Sequence, residues 1–148
     1  MPTTVTVRWD DFEAAFIIGS PESRYFLDTT TGAVEYTSHF DDEAVRERVL
    51  RRAAAPGWLE IPRPSEDDAR AEVSEFIASE TDEAIRAALQ AGFSERHAFK
   101  GFNSALGKYP EARRRWTSAR LAGIHRRLLA FTRRNDLVVD DDRFRALG

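Results

Sequence analysis

The chain has 148 residues, 42% of them hydrophobic and 32% charged, with a net charge of −3 and no cysteine. This balance excludes a disordered chain, and a domain of this length can bury about two-thirds of its unfolded surface. The missing cysteines exclude a disulfide framework, a thiol nucleophile and a thiolate metal site, and no apolar run nears the roughly 20 residues that cross a bilayer.

The start, "MPTTVTVRWDDFE", lacks the basic opening and apolar core of a signal peptide, so a soluble, cytoplasmic protein without a membrane partner is expected. "TVTVR" alternates, with Val5 and Val7 on one face, and predicts a short strand. "WDDFEAAFIIG" places Phe12, Ala15 and Phe16 at helical spacing, with Asp10 or Asp11 able to cap the first turn and Gly19, Ser20 and Pro21 to stop it. "SRYFLDTTTGAVEYTS" predicts a β-hairpin, with Gly32 supplying a positive φ and Tyr25, Asp28 and Thr31 belonging to turn chemistry. "DDEAVRERVLRRAAA" predicts a short helix with Val45, Val49 and Leu50 on its stripe, and Pro56-Gly57 ends it before a strand in "WLEIP".

From Ser65 the pattern is helical. Ser65 and Asp68 make a capping box for a helix burying Val73, Phe76 and Ile77. Thr81 and Gly92 are expected to cap the next helix at its two ends, and a third helix is expected over 94–107, with Phe99, Phe102 and Leu106 on one side. Pro110 suits the first turn of a long helix reaching about Arg134, and Leu137 to Val139 offer an edge strand in the tail. With no linker or repeat, the chain reads as one α+β domain over 1–148, strand-rich over 1–62, helical over 65–135, with a tail over 136–148. The N-terminal strand, hairpin and further strand are expected to form a small antiparallel sheet beside a C-terminal bundle of about four helices.

Charge is uneven along the chain. Residues 1–92 hold 9 basic and 19 acidic residues, net −10, whereas residues 93–148 hold 13 and 6, net +7. Such a dipole steers a polyanion or draws two halves of one fold together, and the second use is the more general. Twenty arginines against only Lys100 and Lys108 match the codon bias of a GC-rich genome, so arginine excess alone says little about phosphate binding.

In the last long helix, Trp116, Leu121, Ile124, Leu128 and Phe131 form one stripe, and Arg115, Arg126 and Arg133 cluster within about 20° on another face. In the helix before it, Lys100 and Asn103 separate from the phenylalanines in the same way. Phe99, Phe102, Leu106, Trp116 and Leu128 are therefore expected in the core, binding the last two helices together. The arginines are expected to stand as a solvent-exposed ridge, not an internal ion-pair network. Stacking platforms for RNA place exposed aromatics beside basic groups, and here the two separate.

Several segments together carry a resemblance: "VRWDDFEAAF", "YFLDTTTGAVEY", "WLEIP", "FIAS", and "HAFKGFNSAL" followed by "RRRW". In this order, over about residues 5–135, the chain resembles uncharacterised protein family 158 of the UPF series, small bacterial proteins without an assigned biochemical role. Members usually show a glycine before the Ala-Phe and a basic residue before the second Phe, where this chain has His97 and Gly101. The resemblance implies kinship of fold and no activity.

Catalytic signatures are sparse. The glycines form neither G-x-G-x-x-G nor G-x-x-x-x-G-K nor G-x-S-x-G, and His39, His97 and His125 form no H-x-x-x-H. "HFDDE", His39 to Glu43, is the most metal-like cluster, but acids at a helix start explain Asp41, Asp42 and Glu43 without an ion. Asp140 to Asp142 read as a solvated acidic run, and Trp9-Asp10-Asp11 as a cap and core anchor. No cofactor and no metal is expected. The leading functional reading is a non-enzymatic interaction module, binding a protein or nucleic-acid partner through Arg115, Arg126, Arg133 and Lys100. The rival is a small hydrolase or nucleotide-processing enzyme whose site is assembled from scattered residues.

Overall fold

In a computed structural model, residues 1–17 and 23–148 are described. The stop expected at Gly19, Ser20 and Pro21 lies outside those residues. The element order is β1 (Thr3–Val5), α1 (Trp9–Ile17), β2 (Ser23–Asp28), β3 (Val34–Ser38), α2 (Glu43–Ala53), β4 (Trp58–Ile61), α3 (Glu66–Ser79), α4 (Glu83–Phe93), α5 (Ala98–Leu106), α6 (Pro110–Arg134), β5 (Leu137–Val139) and α7 (Asp142–Arg145). The fold class is α+β. No helix among the described residues is long and apolar enough to cross a membrane.

The chain divides into two compact units, one made of residues 1–63 and 124–148, the other of residues 64–123. In the first, β2 is the central strand of a three-stranded antiparallel sheet in the order β3-β2-β4. Tyr25 and Leu27 on β2 and Ile61 on β4 turn to one face, into a cluster with Phe12, Phe16, Leu128, Phe131 and Val139. Phe12 and Phe16 meet edge to face at 5.2 Å, a favoured arrangement of two rings. The opposite face carries Arg24, Phe26, Thr37 and Glu60, as strand alternation and the Arg24↔Thr37 and Phe26↔Glu60 pairs require. There α2 docks, its Arg52 paired with Glu35 of β3.

The hairpin turn forms as its residues dictate. Asp28 accepts hydrogen bonds from the Thr30 N–H and the Thr31 hydroxyl, both at 2.9 Å. Gly32 has φ 78°, and a Cβ there would lie 1.7 Å from the Thr6 carbonyl oxygen. Any side chain at 32 therefore collides with backbone as well as straining the chain.

The N-terminal strand departs from expectation. Instead of joining the antiparallel sheet, β1 pairs in parallel with β5, in the register Thr3↔Leu137 to Val5↔Val139. A three-residue strand carries too little pattern to choose its partner, and the parallel pairing brings Val5 and Val139 into the same cluster. Beyond β5, the acidic run makes a further short helix, α7, capped by Asp141, which accepts the Arg143 N–H. On α2, Val49 is buried, but Val45 at the start of the expected stripe is exposed.

The second unit holds α3, α4, α5 and the first part of α6. Ser65 and Asp68 form the expected capping box. Asp82, not Thr81, caps α4, its carboxylate accepting the Ala84 and Ile85 N–H groups. Gly92 is not a terminal cap: it lies inside α4, buried, where α4 crosses α5 at Gly101. Helix α5 starts at Ala98, four residues later than its periodicity suggests. The core cluster joins Val73, Phe76, Ile77, Leu89, Phe102, Leu106 and Ala112, with Phe99 and Trp116 partly buried against it.

Candidate functional site

The four residues expected to bind a partner do not form one free ridge. Arg126 and Arg133 belong to the first unit, and Arg115 and Lys100 to the second. Arg126 and Arg133 are exposed, and among the described residues no carboxylate pairs with either guanidinium. Seven residues apart on α6, they lie on one helical face about two turns, or ~10.5 Å, apart. Arg133 is also in the last turn of α6, where a cation is favoured by the helix dipole. Lys100 is exposed on α5.

Arg115 is the exception, and its expected freedom is corrected. Its Nη2 donates to a carboxylate oxygen of Glu80, a buried acid with 6% of its surface accessible. The Asp82 N–H donates to the other oxygen at 3.2 Å, and Arg86 donates to the Glu80 carbonyl at 3.0 Å. The hydrogen bond from Arg115 outweighs desolvation and holds the Glu80 carboxyl below its usual range. A buried carboxylate requires such a partner, so Arg115 has a structural task that its helical angle did not disclose.

The apolar stripe of α6 also divides. Trp116 packs in the second cluster against Phe76 and Phe102, with ring centroids 5.2 and 5.1 Å away, whereas Ile124, Leu128 and Phe131 belong to the first. Leu121 between them is 41% exposed. Leu128 is thus a core residue, but not one that binds the last two helices together.

A second arrangement was not legible as a motif. On the face of the sheet that meets α2, a cleft of about 580 Å³ opens beside the end of β3. Arg24 from β2, Arg46 from α2 and Arg63, two residues beyond β4, surround it. Leu50 supplies an apolar wall, and Thr37, Ser38 and His39 complete the lining. Arg24 is clamped by Glu60, with Nε at 2.9 Å and Nη2 at 2.8 Å from its two oxygens. That pair, against desolvation, holds the Glu60 carboxyl below its usual range, and Arg63 adds to the effect. Arg46 donates to the His39 carbonyl at 3.2 Å, and no carboxylate pairs with its guanidinium among the described residues. Asp41, from the metal-like "HFDDE", is occupied in folding this corner: it accepts the Ser38 N–H at 2.8 Å and the Thr37 hydroxyl at 3.3 Å. The three arginines lie about twenty residues apart in sequence. The Arg24↔Thr37 register is the one clue that gathers any of them.

Elsewhere in the first unit, His125 Nε2 lies 2.8 Å from Glu13 Oε2, and Arg143 stands 5.7 Å over the Trp9 ring while reaching Asp10. The Trp9-Asp10-Asp11 segment thus serves as a core anchor, with Trp9 buried. Compared with protein families, curated proteins and solved structures, the chain matches none.

Proposed function

We propose that the protein is a non-enzymatic interaction module, a cytoplasmic bacterial protein akin to the family it resembles, that engages a polyanionic partner through the outward arginines of α6. The observation that carries this reading is the pair Arg126 and Arg133, both exposed, on one helical face and without a carboxylate partner among the described residues. The attraction is local rather than global. Residues 1–63 and 124–148 hold 13 basic and 15 acidic residues, and residues 64–123 hold 9 and 10, so neither unit is basic as a whole. Contact between arginines and phosphates, not long-range steering, therefore supplies the affinity.

The test is binding of labelled duplex and single-stranded nucleic acid between roughly 50 and 200 mM salt, for wild type and Arg126→Gln/Arg133→Gln. Each phosphate contact contributes a slope of about −0.9 on duplex, so losing two flattens the slope by about 1.8 and reduces the salt effect over that range about tenfold. The substitutions are at exposed positions, where stability changes stay within about 0.5 kcal/mol. Lys100→Gln, in the second unit, asks separately whether α5 contributes. If neither nucleic acid binds at 50 mM salt, or the double variant binds as wild type does, the polyanion reading fails.

A further inference from the structure

We propose that the open edge of β3 pairs with β3 of a second copy of this chain, antiparallel, so that two three-stranded sheets join into one. The hairpin fixes which backbone groups face outward. The Asp28 N–H donates to the Ala33 carbonyl at 2.9 Å, and the ladder alternates from there, so Phe26↔Glu35 and Arg24↔Thr37 are the pairs that exchange hydrogen bonds. Val34, Tyr36 and Ser38 therefore turn their N–H and C=O groups away from β2. Ser38 is already satisfied, its N–H donating to the Asp41 carboxylate at 2.8 Å and its carbonyl accepting the Asp41 N–H at 3.0 Å. Among the described residues, nothing pairs with the backbone of Val34 or Tyr36. The opposite edge of the sheet is blunted. On β4 the outward residues are Trp58, whose N–H is taken by the Ala55 carbonyl, and the charged Glu60, and Pro62 follows with no N–H at all. Charge and proline are the usual protection of an edge; β3 has no proline, and its one acid, Glu35, is paired with Arg52.

The pattern selects a second copy of itself. A two-fold axis at Glu35 sets Val34 opposite Tyr36 of the second copy, and Tyr36 opposite its Val34. Both pairs exchange hydrogen bonds in each direction, so every open group of one copy is closed by the other and none is left over, as an isologous contact requires. Glu35 meets Glu35 of the second copy at the axis, and bare like charges there would repel. Each brings its own Arg52, so two carboxylates and two guanidiniums gather at the axis and their charges cancel. On the other face, Tyr36 is 59% exposed and stacked on Tyr25 with ring centroids 5.5 Å apart. Pairing lays it beside Val34 of the second copy, an aromatic and a β-branched residue across two strands. So short a contact belongs with the small, transient interfaces.

The experiment is sedimentation equilibrium of the whole protein from roughly 10 μM to 1 mM, the range in which weak interfaces fill, with amide hydrogen exchange at both ends of it. The mean mass should rise toward twice that of the monomer, and exchange at the Val34 and Tyr36 amides should slow, with the Glu60 amide unchanged. Tyr36→Lys places a charge on the edge without touching a hydrogen bond inside the copy. It acts twice in a symmetric pair and should weaken association roughly tenfold. Glu35→Lys, which leaves only cations at the axis, should weaken it too, and serves if Tyr36→Lys perturbs the fold. A chain that stays monomeric at the highest concentration, a dimer whose Val34 and Tyr36 amides exchange as fast as in the monomer, or both variants associating as wild type does would each overturn the proposal. Protection of these amides by an added extended peptide, in a chain that alone stays monomeric, would give the edge to a foreign strand and overturn it as well. Neither Arg126 nor Arg133 is on β3, so Arg126→Gln/Arg133→Gln should dimerise normally, which separates this contact from the polyanion surface.

Discussion

Glu80 is a buried acid with both carboxylate oxygens engaged, one by Arg115 and one by the Asp82 N–H. Its folded pKa is depressed, so its contribution to stability is present above the unfolded value of about 4.3 and lost as pH falls through the folded value. Arg115→Gln should therefore lower stability at pH 7 by roughly 1–3 kcal/mol, toward the lower end because Arg115 is half exposed. The deficit should shrink as pH falls below the unfolded value of about 4.3, because the wild type then loses the contribution of its ionised Glu80. Urea denaturation of both proteins at pH 7 and pH 3.5 checks this, and an equal gap at the two values would refute the pairing. Periodicity put Arg115 on the same helical angle as Arg126 and Arg133, and that angle is all a helical wheel can see. Glu80 comes from 35 residues earlier, and the turn that buries it leaves no local mark. Asp28, Thr31 and Gly32 were legible for the opposite reason: their partners lie within three or four residues.

Two helix starts follow local chemistry that the sequence discloses: the Ser65/Asp68 capping box and Pro110 stand where α3 and α6 begin, whereas α4 and α5 start later than their patterns suggest. Helix stops are harder to read, because glycine has more than one use. Gly92 looks like a terminal cap, yet it lies within α4, where a Cβ would come 2.4 Å from the Gly101 carbonyl oxygen. A Cβ at Gly101 would come 2.0 Å from the Gly92 carbonyl oxygen, so the two glycines let α4 and α5 touch backbone to backbone. Two effects then oppose each other in Gly101→Ala. Helix propensity favours alanine by about 1 kcal/mol, while overpacking against a backbone atom costs about 1–3 kcal/mol or more. At 2.0 Å the contact cannot be relieved by a side-chain rotation, so the variant should melt lower, by several degrees. A higher melting temperature would show that α4 and α5 do not cross so closely. With no room for a Cβ, Gly101 is a packing residue.

Across the whole chain, the split of −10 and +7 between sequence halves does not become a split between structural units. The basic helix α6 contributes residues to both, and each unit ends near neutrality. The two units are harder to read from the sequence: one cut falls at Arg63 between Pro62 and Pro64, a short proline pair without a glycine- or serine-rich linker, and the other at Gly123 lies inside α6. The α+β class followed from the period of the hydrophobic pattern, which local spacing fixes. The parallel β1–β5 pair and the arginine cleft depend on contacts between distant segments, which periodicity does not encode. The same distribution of charge sets the response to acid. Arg115 lowers the Glu80 pKa and Arg24 that of Glu60, each against desolvation, and Arg143 lowers that of Asp141. At Asp28, desolvation is outweighed by the hydrogen bonds from Thr30 and Thr31. All four carboxyls bind protons more weakly folded than unfolded, so between neutrality and acid the unfolded chain takes up more protons. Each contribution is complete above the unfolded carboxyl values of about 3.9–4.3 and disappears as pH falls through the lower folded ones. The melting temperature should accordingly hold nearly level from pH 8 to about pH 5 and fall below about pH 4. Amide signals of residues around Glu80 and around the Glu60 clamp should lose protection in that same range, since each unit holds at least one of the four acids. A melting temperature that rises on acidification from pH 5 to pH 3 would mean that these pairs do not hold their carboxylates in the ionised state.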